Sequence, residues 1–129
     1  MNNWITAAAV IVVGMATVAG RAAAQSGEAS KGQRVFNTQC KSCHTLEKDG
    51  AQVTGPNLHG LVGRKAGTSA GYAYSDAMKN SGIVWDETTL AEYNRDPKGK
   101  VPGTKMLYNG VKNAGQLADL VAYLKEATK

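Results

Sequence analysis

The sequence predicts an all-α fold, on three observations. No segment alternates apolar and polar residues long enough to make a half-buried strand. Four segments instead open on helix-capping residues or carry apolar positions three and four apart. Beyond residue 24, the chain holds one Phe, one Trp and 13 of its 15 Gly. Domains of about 100 residues are already limited in the surface they can bury, so these helices call for a large apolar body that the polypeptide does not supply.

The elements follow in chain order. Trp4 to Gly20, "WITAAAVIVVGMATVAG", is uncharged and is followed by Arg21 and then Ala22-Ala23-Ala24. An apolar run ending in small residues reads as a signal peptide, residues 1–24, cleaved after Ala24, with the folded domain at residues 25–129. The alternative is an uncleaved membrane anchor, for which the run falls slightly short of the about 20 residues a span needs. Neither reading has the usual Lys or Arg ahead of the apolar run. On both, the remainder is exported. Loss of residues 1–24 removes only Arg21 from the 15 basic residues, leaving 14 against 10 acidic and a net charge of +4. That excess suits an acidic protein partner. Nucleic acid is excluded, since the chain has no Lys/Arg run.

The first helix is expected from about Glu28 to Cys40, with Gly32, Phe36 and Cys40 on one face and Val35 beside them. Glycine is unfavourable inside a helix, so Gly32 points to another element approaching closely. Ser75 can cap a short helix from Asp76 to Lys79, and Asp86 a longer one from Glu87 to Arg95. Pro97 is expected to end it. Asn113 and Gln116 make a capping-box-like start to the last helix, whose Leu117, Leu120, Val121 and Leu124 form a single stripe.

Both cysteines lie in "QCKSCHT", Gln39 to Thr45, next to one of the two histidines. A structural zinc site needs four ligands, and His59 in "GPNLHG" is wrongly spaced to complete one. A redox disulfide in Cys-x-x-Cys form normally opens a helix after a strand, whereas here a helix ends at Cys40. Haem attachment uses every residue: Cys40 and Cys43 form thioethers with the two vinyl groups, and His44 supplies an axial nitrogen. A sixth ligand is then sought among Met78, Met106 and His59. Met106 stands in "VPGTKMLYNG", where Pro102 and Gly103 favour a defined turn. Met78, in "SDAMKNSG", reads more simply as a buried gap-filler.

The exported domain resembles class I cytochrome c, in its mitochondrial-type and bacterial periplasmic forms. "CKSCHT", "TGPNLHGLVGRKAG", "YAYSDAMKNSGIVW", "DPKGKVPGTKM" and "LADLVAYLKEATK" occur in family order and with family-like spacing. The resemblance implies the cytochrome c fold, four to five short helices around one covalent haem c with the terminal helices crossing. It implies Cys40 and Cys43 as the thioethers, His44 as proximal ligand and Met106 as distal ligand. Pro56 would accept the His44 Nδ1–H, a contact that orients the ring. Tyr74 and Trp85, with Arg64 nearby, would bond or neutralise the propionates. Tyr93 and Thr104 would line the Met106 side. Gly32 and Phe36 would meet Leu120 and Tyr123 where the terminal helices cross.

The chain departs from the mitochondrial pattern at Met78, Asn94, Lys100 and Tyr108, where Asn, Leu, Tyr and Phe are common. Asn94 and Tyr108 are expected near the haem. Gln39, Val53 and Gly99 replace frequent lysines, leaving Lys31, Arg34, Lys65, Lys98, Lys105 and Lys112 as the basic ring. The function implied is a soluble, monomeric one-electron carrier of the bacterial periplasm, not an enzyme. Its partners would be a cytochrome bc1-type complex on one side and an oxidase, reductase or photosynthetic reaction centre on the other. A membrane association is expected only if residues 1–24 stay attached. The alternative is a haem peroxidase or gas sensor opened by loss of Met106.

Overall fold

The computed structural model describes residues 26–129, so the leader or anchor expected at residues 1–24 lies outside the described residues. Five helices follow one another: α1 Ala29–Gln39, α2 Asp76–Lys79, α3 Glu87–Arg95, α4 Pro97–Lys100 and α5 Ala114–Ala127. Among the described residues, β pairing is confined to one antiparallel bridge between Lys65 and Val84, and no helix is long and apolar enough to cross a membrane. The fold is all-α, with long connections between short helices.

Helices α1 and α5 cross, and two glycines allow it. A Cβ on Gly32 would lie 1.9 Å from the Asp119 carbonyl oxygen, and one on Gly27 would lie 1.9 Å from that of Ala118. The unfavourable helical glycine, about 1 kcal/mol against alanine, is thus the condition for backbone contact. The Phe36 and Tyr123 rings pack with centroids 5.7 Å apart, and Leu120 is fully buried beside them. Glu28 does not cap α1 with its side chain; its N–H donates to Asp119 Oδ1 at 2.7 Å, tying the start of α1 to α5.

Asp86 and Thr89 form a reciprocal capping box at the start of α3, and Ser75 Oγ accepts the Met78 N–H at the start of α2. At α5 only half of the expected box forms, with Asn113 Oδ1 accepting the Gln116 N–H. Helix α4 was not expected. Pro97 ends α3 but also begins α4, where its missing N–H needs no partner and its fixed φ is already helical; Asp96 caps it through the Gly99 N–H.

The buried apolar residues form two clusters. Val35, Phe36, Cys40, Val111, Leu117, Leu120 and Leu124 gather at the α1/α5 crossing. Leu61, Met78, Trp85, Leu90, Tyr93 and Val101 gather around α2 and α3. Between them lies a cavity.

Candidate functional site

The cavity has a volume of about 330 Å³ and is lined from both clusters, by Phe36, Cys40 and Leu124 on one side and Leu61, Trp85, Leu90 and Tyr93 on the other. Its lining is mostly apolar, with two cysteines, a histidine and a few polar groups converging on it. That composition is characteristic of a ligand site. All ten residues singled out from the sequence line it: Cys40, Cys43, His44, Pro56, Arg64, Tyr74, Trp85, Tyr93, Thr104 and Met106.

The cysteine side is built from the end of α1. Cys40 is its C-cap, and the His44 N–H donates to the Cys40 carbonyl at 3.0 Å, turning the chain so that both cysteines and the imidazole line one wall. Cys40 is buried and Cys43 half-buried, and no disulfide joins them. His44 Nδ1 lies 2.8 Å from the Pro56 carbonyl oxygen. A carbonyl only accepts, so Nδ1 carries the proton and Nε2 keeps a free lone pair. Burial pushes the His44 pKa down, against the opposing effect of the Pro56 bond, so the ring is neutral at pH 7.

Several residues that hold this wall were not legible in the sequence. Gly55 packs against the imidazole so closely that a Cβ there would fall 2.4 Å from His44 Cε1. Buried Asn57 donates from Nδ2 to Thr45 Oγ1 at 2.7 Å and to the Glu47 carbonyl at 3.0 Å, and accepts the His59 N–H at 3.0 Å. These contacts join residues without periodicity, so no pattern in the chain announces them.

Opposite stands the Met106 segment. The Tyr93 hydroxyl pairs with Thr104 Oγ1 at 2.7 Å, and the Met106 N–H donates to the same oxygen at 3.3 Å. Burial raises the Tyr93 pKa, partly offset by the Thr104 bond, so the phenol stays protonated at neutral pH. Met78 is buried and also lines the cavity, which therefore meets two thioethers. Asn94 lines it too, but its Nδ2 donates to the Leu90 carbonyl of its own helix at 2.9 Å. Tyr108 lies at the rim, its hydroxyl donating to Gln39 Oε1.

On the polar side, Arg64 donates to the His59 and Asn57 carbonyls at 2.9 and 3.3 Å, so its guanidinium braces the loop beneath the cavity. Tyr74 accepts the Ser69 N–H and meets Tyr72 edge-on with centroids 4.8 Å apart. Trp85 packs on Tyr93 with ring centroids 5.2 Å apart. The residues fit a haem: two thiols and a neutral imidazole on one wall, thioethers facing them, an apolar lining, and Arg64, Tyr74 and Trp85 at the polar side.

Comparison with known proteins agrees. The family model described as cytochrome c matches residues 29–128. The chain is 52% identical over 103 residues to cytochrome c of Gibberella zeae, covering 80% of this chain and 97% of that protein. It is 48% identical over 105 residues to cytochrome c of Ginkgo biloba, covering 81% and 93%, and 49% identical over 107 residues to that of Chlamydomonas reinhardtii, covering 83% and 96%. These relatives come from a fungus, a seed plant and a green alga, which overturns the expected bacterial periplasmic location. That expectation rested on an apolar run and small residues, features that do not specify which compartment's machinery reads them. The chain belongs to the cytochrome c family, electron carriers rather than enzymes, in which one haem c is bound covalently through two cysteines, here Cys40 and Cys43.

Proposed function

We propose that the chain passes single electrons between redox proteins, with the haem iron held between His44 Nε2 and Met106 Sδ. The observation that carries this reading is the His44 Nδ1–Pro56 contact, which leaves Nε2 as the lone pair on the cysteine wall while Met106 lines the same cavity. When bound, haem supplies a reversible one-electron couple, and a thioether ligand favours the reduced state. Pro56 holds the imidazole in one tautomer and orientation, which limits reorganisation between oxidation states. Thr104, fixed by Tyr93, positions the Met106 backbone. Leu58, Leu61 and Leu90 keep water from the cavity's interior. Trp85 and Tyr74 offer polar groups to the propionates, while Arg64 contributes positive charge from its braced position.

The partners proposed are a cytochrome bc1-type complex as donor and an oxidase, reductase or reaction centre as acceptor, met through acidic docking surfaces. Of the expected basic ring, Lys31 is paired with Glu28 at 2.8 Å, and Lys105 and Lys112 donate to the Ala73 and Arg95 carbonyls. Those two bonds go to neutral carbonyls and leave the charge in place, so Arg34, Lys65, Lys98, Lys105 and Lys112, none with an ion-pair partner among the described residues, are the cations assigned to steering.

Carbon monoxide tests the reading. The reduced holoprotein at neutral pH should keep its spectrum when CO is added, because His44 and Met106 would both hold the iron. Ready CO binding would mean that Met106 does not hold the iron.

A further inference from the structure

The hydrogen bond between Tyr108 and Gln39 joins positions 69 apart in sequence, one on each side of the cavity opening. Gln39 is exposed at the last turn of α1, one residue before Cys40. Tyr108 is half-buried two residues beyond Met106, with its ring packed against the cluster that contains Cys40. Between Met106 and Tyr108, Leu107 is 93% exposed. Among the described residues, the backbone N–H groups from 107 to 110 find no protein acceptor. The segment is anchored at its ends, by the Lys105 bond to the Ala73 carbonyl and the Val111 N–H bond to the Asn94 carbonyl, and between them by the Tyr108 hydroxyl and ring.

We propose that Tyr108 and Gln39 form a latch that closes the cavity opening and governs how easily a small external ligand displaces Met106. The inference rests on Met106 being the distal ligand. A phenylalanine at position 108 could pack there but could not donate, and a lysine at position 39 could not accept. The bond thus needs both side chains, one as donor and the other as acceptor. Tyr108 and Gln39 act as positioning residues, since the latch works through the chain that carries Met106.

Imidazole binding to the oxidised holoprotein tests it, followed by loss of the Met–iron absorption band. Tyr108→Phe and Gln39→Leu should each raise imidazole affinity about two- to tenfold, the equilibrium equivalent of one hydrogen bond. The double variant should rise no further than either single variant, because both remove the same bond. Gln39→Glu restores an acceptor and should return the affinity to that of the parent, a rescue that a loss of packing would not show. Unchanged single variants, additive effects, or a Gln39→Glu protein that behaves like Gln39→Leu would each overturn the latch. A parent protein without the Met–iron band would overturn the ligation reading and the latch with it.

Discussion

The two walls of the cavity are built by different means. On the His44 wall, residues 40–59 are laced by short bonds that stay within the segment: His44 to Pro56, Gly55 to Cys43, Leu58 to Thr45, and Asn57 to three neighbours. On the Met106 wall, residues 104–110 hold few bonds of their own and lean on groups from elsewhere, the Tyr93 and Gln39 side chains and the Ala73 carbonyl that accepts from Lys105. One wall fixes its imidazole before anything binds; the other takes its position from distant elements. The difference teaches which side should yield first when the site is stressed.

The strongest test of this contrast is Gly55→Ala. The new Cβ would meet the imidazole at 2.4 Å, with the ring tied to Pro56 and unable to retreat. A loss of about 3 kcal/mol or more is expected in denaturant unfolding, and an unchanged midpoint would show that the wall is softer than described. Asn57→Ala comes next. It strands buried partners at Thr45, Glu47 and His59, for an expected loss of about 2 kcal/mol by the same measurement. Tyr93→Phe probes the other wall by removing a single bond to Thr104. Stability should fall by about 1 kcal/mol, and the Met–iron band should weaken at lower temperature than in the parent. If Tyr93→Phe cost more than Asn57→Ala, the ranking of the walls would be reversed.

The smallest effect is pH-dependent and concerns the footing of α3, the helix that carries Tyr93. Backbone and side-chain bonds from Thr89 hold the Asp86 carboxyl below its ordinary value of 3.8. A group depressed in the folded state contributes stability above its unfolded pKa and loses that contribution as pH falls through the folded one. Asp86→Ala should therefore be slightly less stable than the parent at neutral pH, with the gap closing below about pH 3.8. A gap that widened on acidification would assign the cap another role.

Legibility follows the same division. Helices α1, α2, α3 and α5 could be read because capping residues and apolar spacing are local signals, and the stripe Leu117, Leu120, Val121 and Leu124 is the buried face of α5. Helix α4 has no such signal, because Pro97 both stops α3 and fits the first position of a new helix. The ten cavity residues were legible from the attachment motif and from resemblance. The wall behind His44 was not, since the pairing of Asn57 with Thr45 or of Gly55 with the imidazole depends on loop geometry that no period encodes. Arg64 lines the cavity, and its bonds to the His59 and Asn57 carbonyls give it a bracing role that its charge alone does not reveal.

The bond from the Glu28 N–H to Asp119 closes a ring of chain spanning 91 positions. Closing a ring of that size costs about 4 kcal/mol of chain entropy. A connection through the cavity from His44 to Met106 would shorten the path to about 29 positions, the sixteen before His44 and the thirteen after Met106, and would lower the closure cost by about 1 kcal/mol. The occupant of the cavity would then act on folding as a topological shortcut, bringing the two ends of the domain within easier reach of each other.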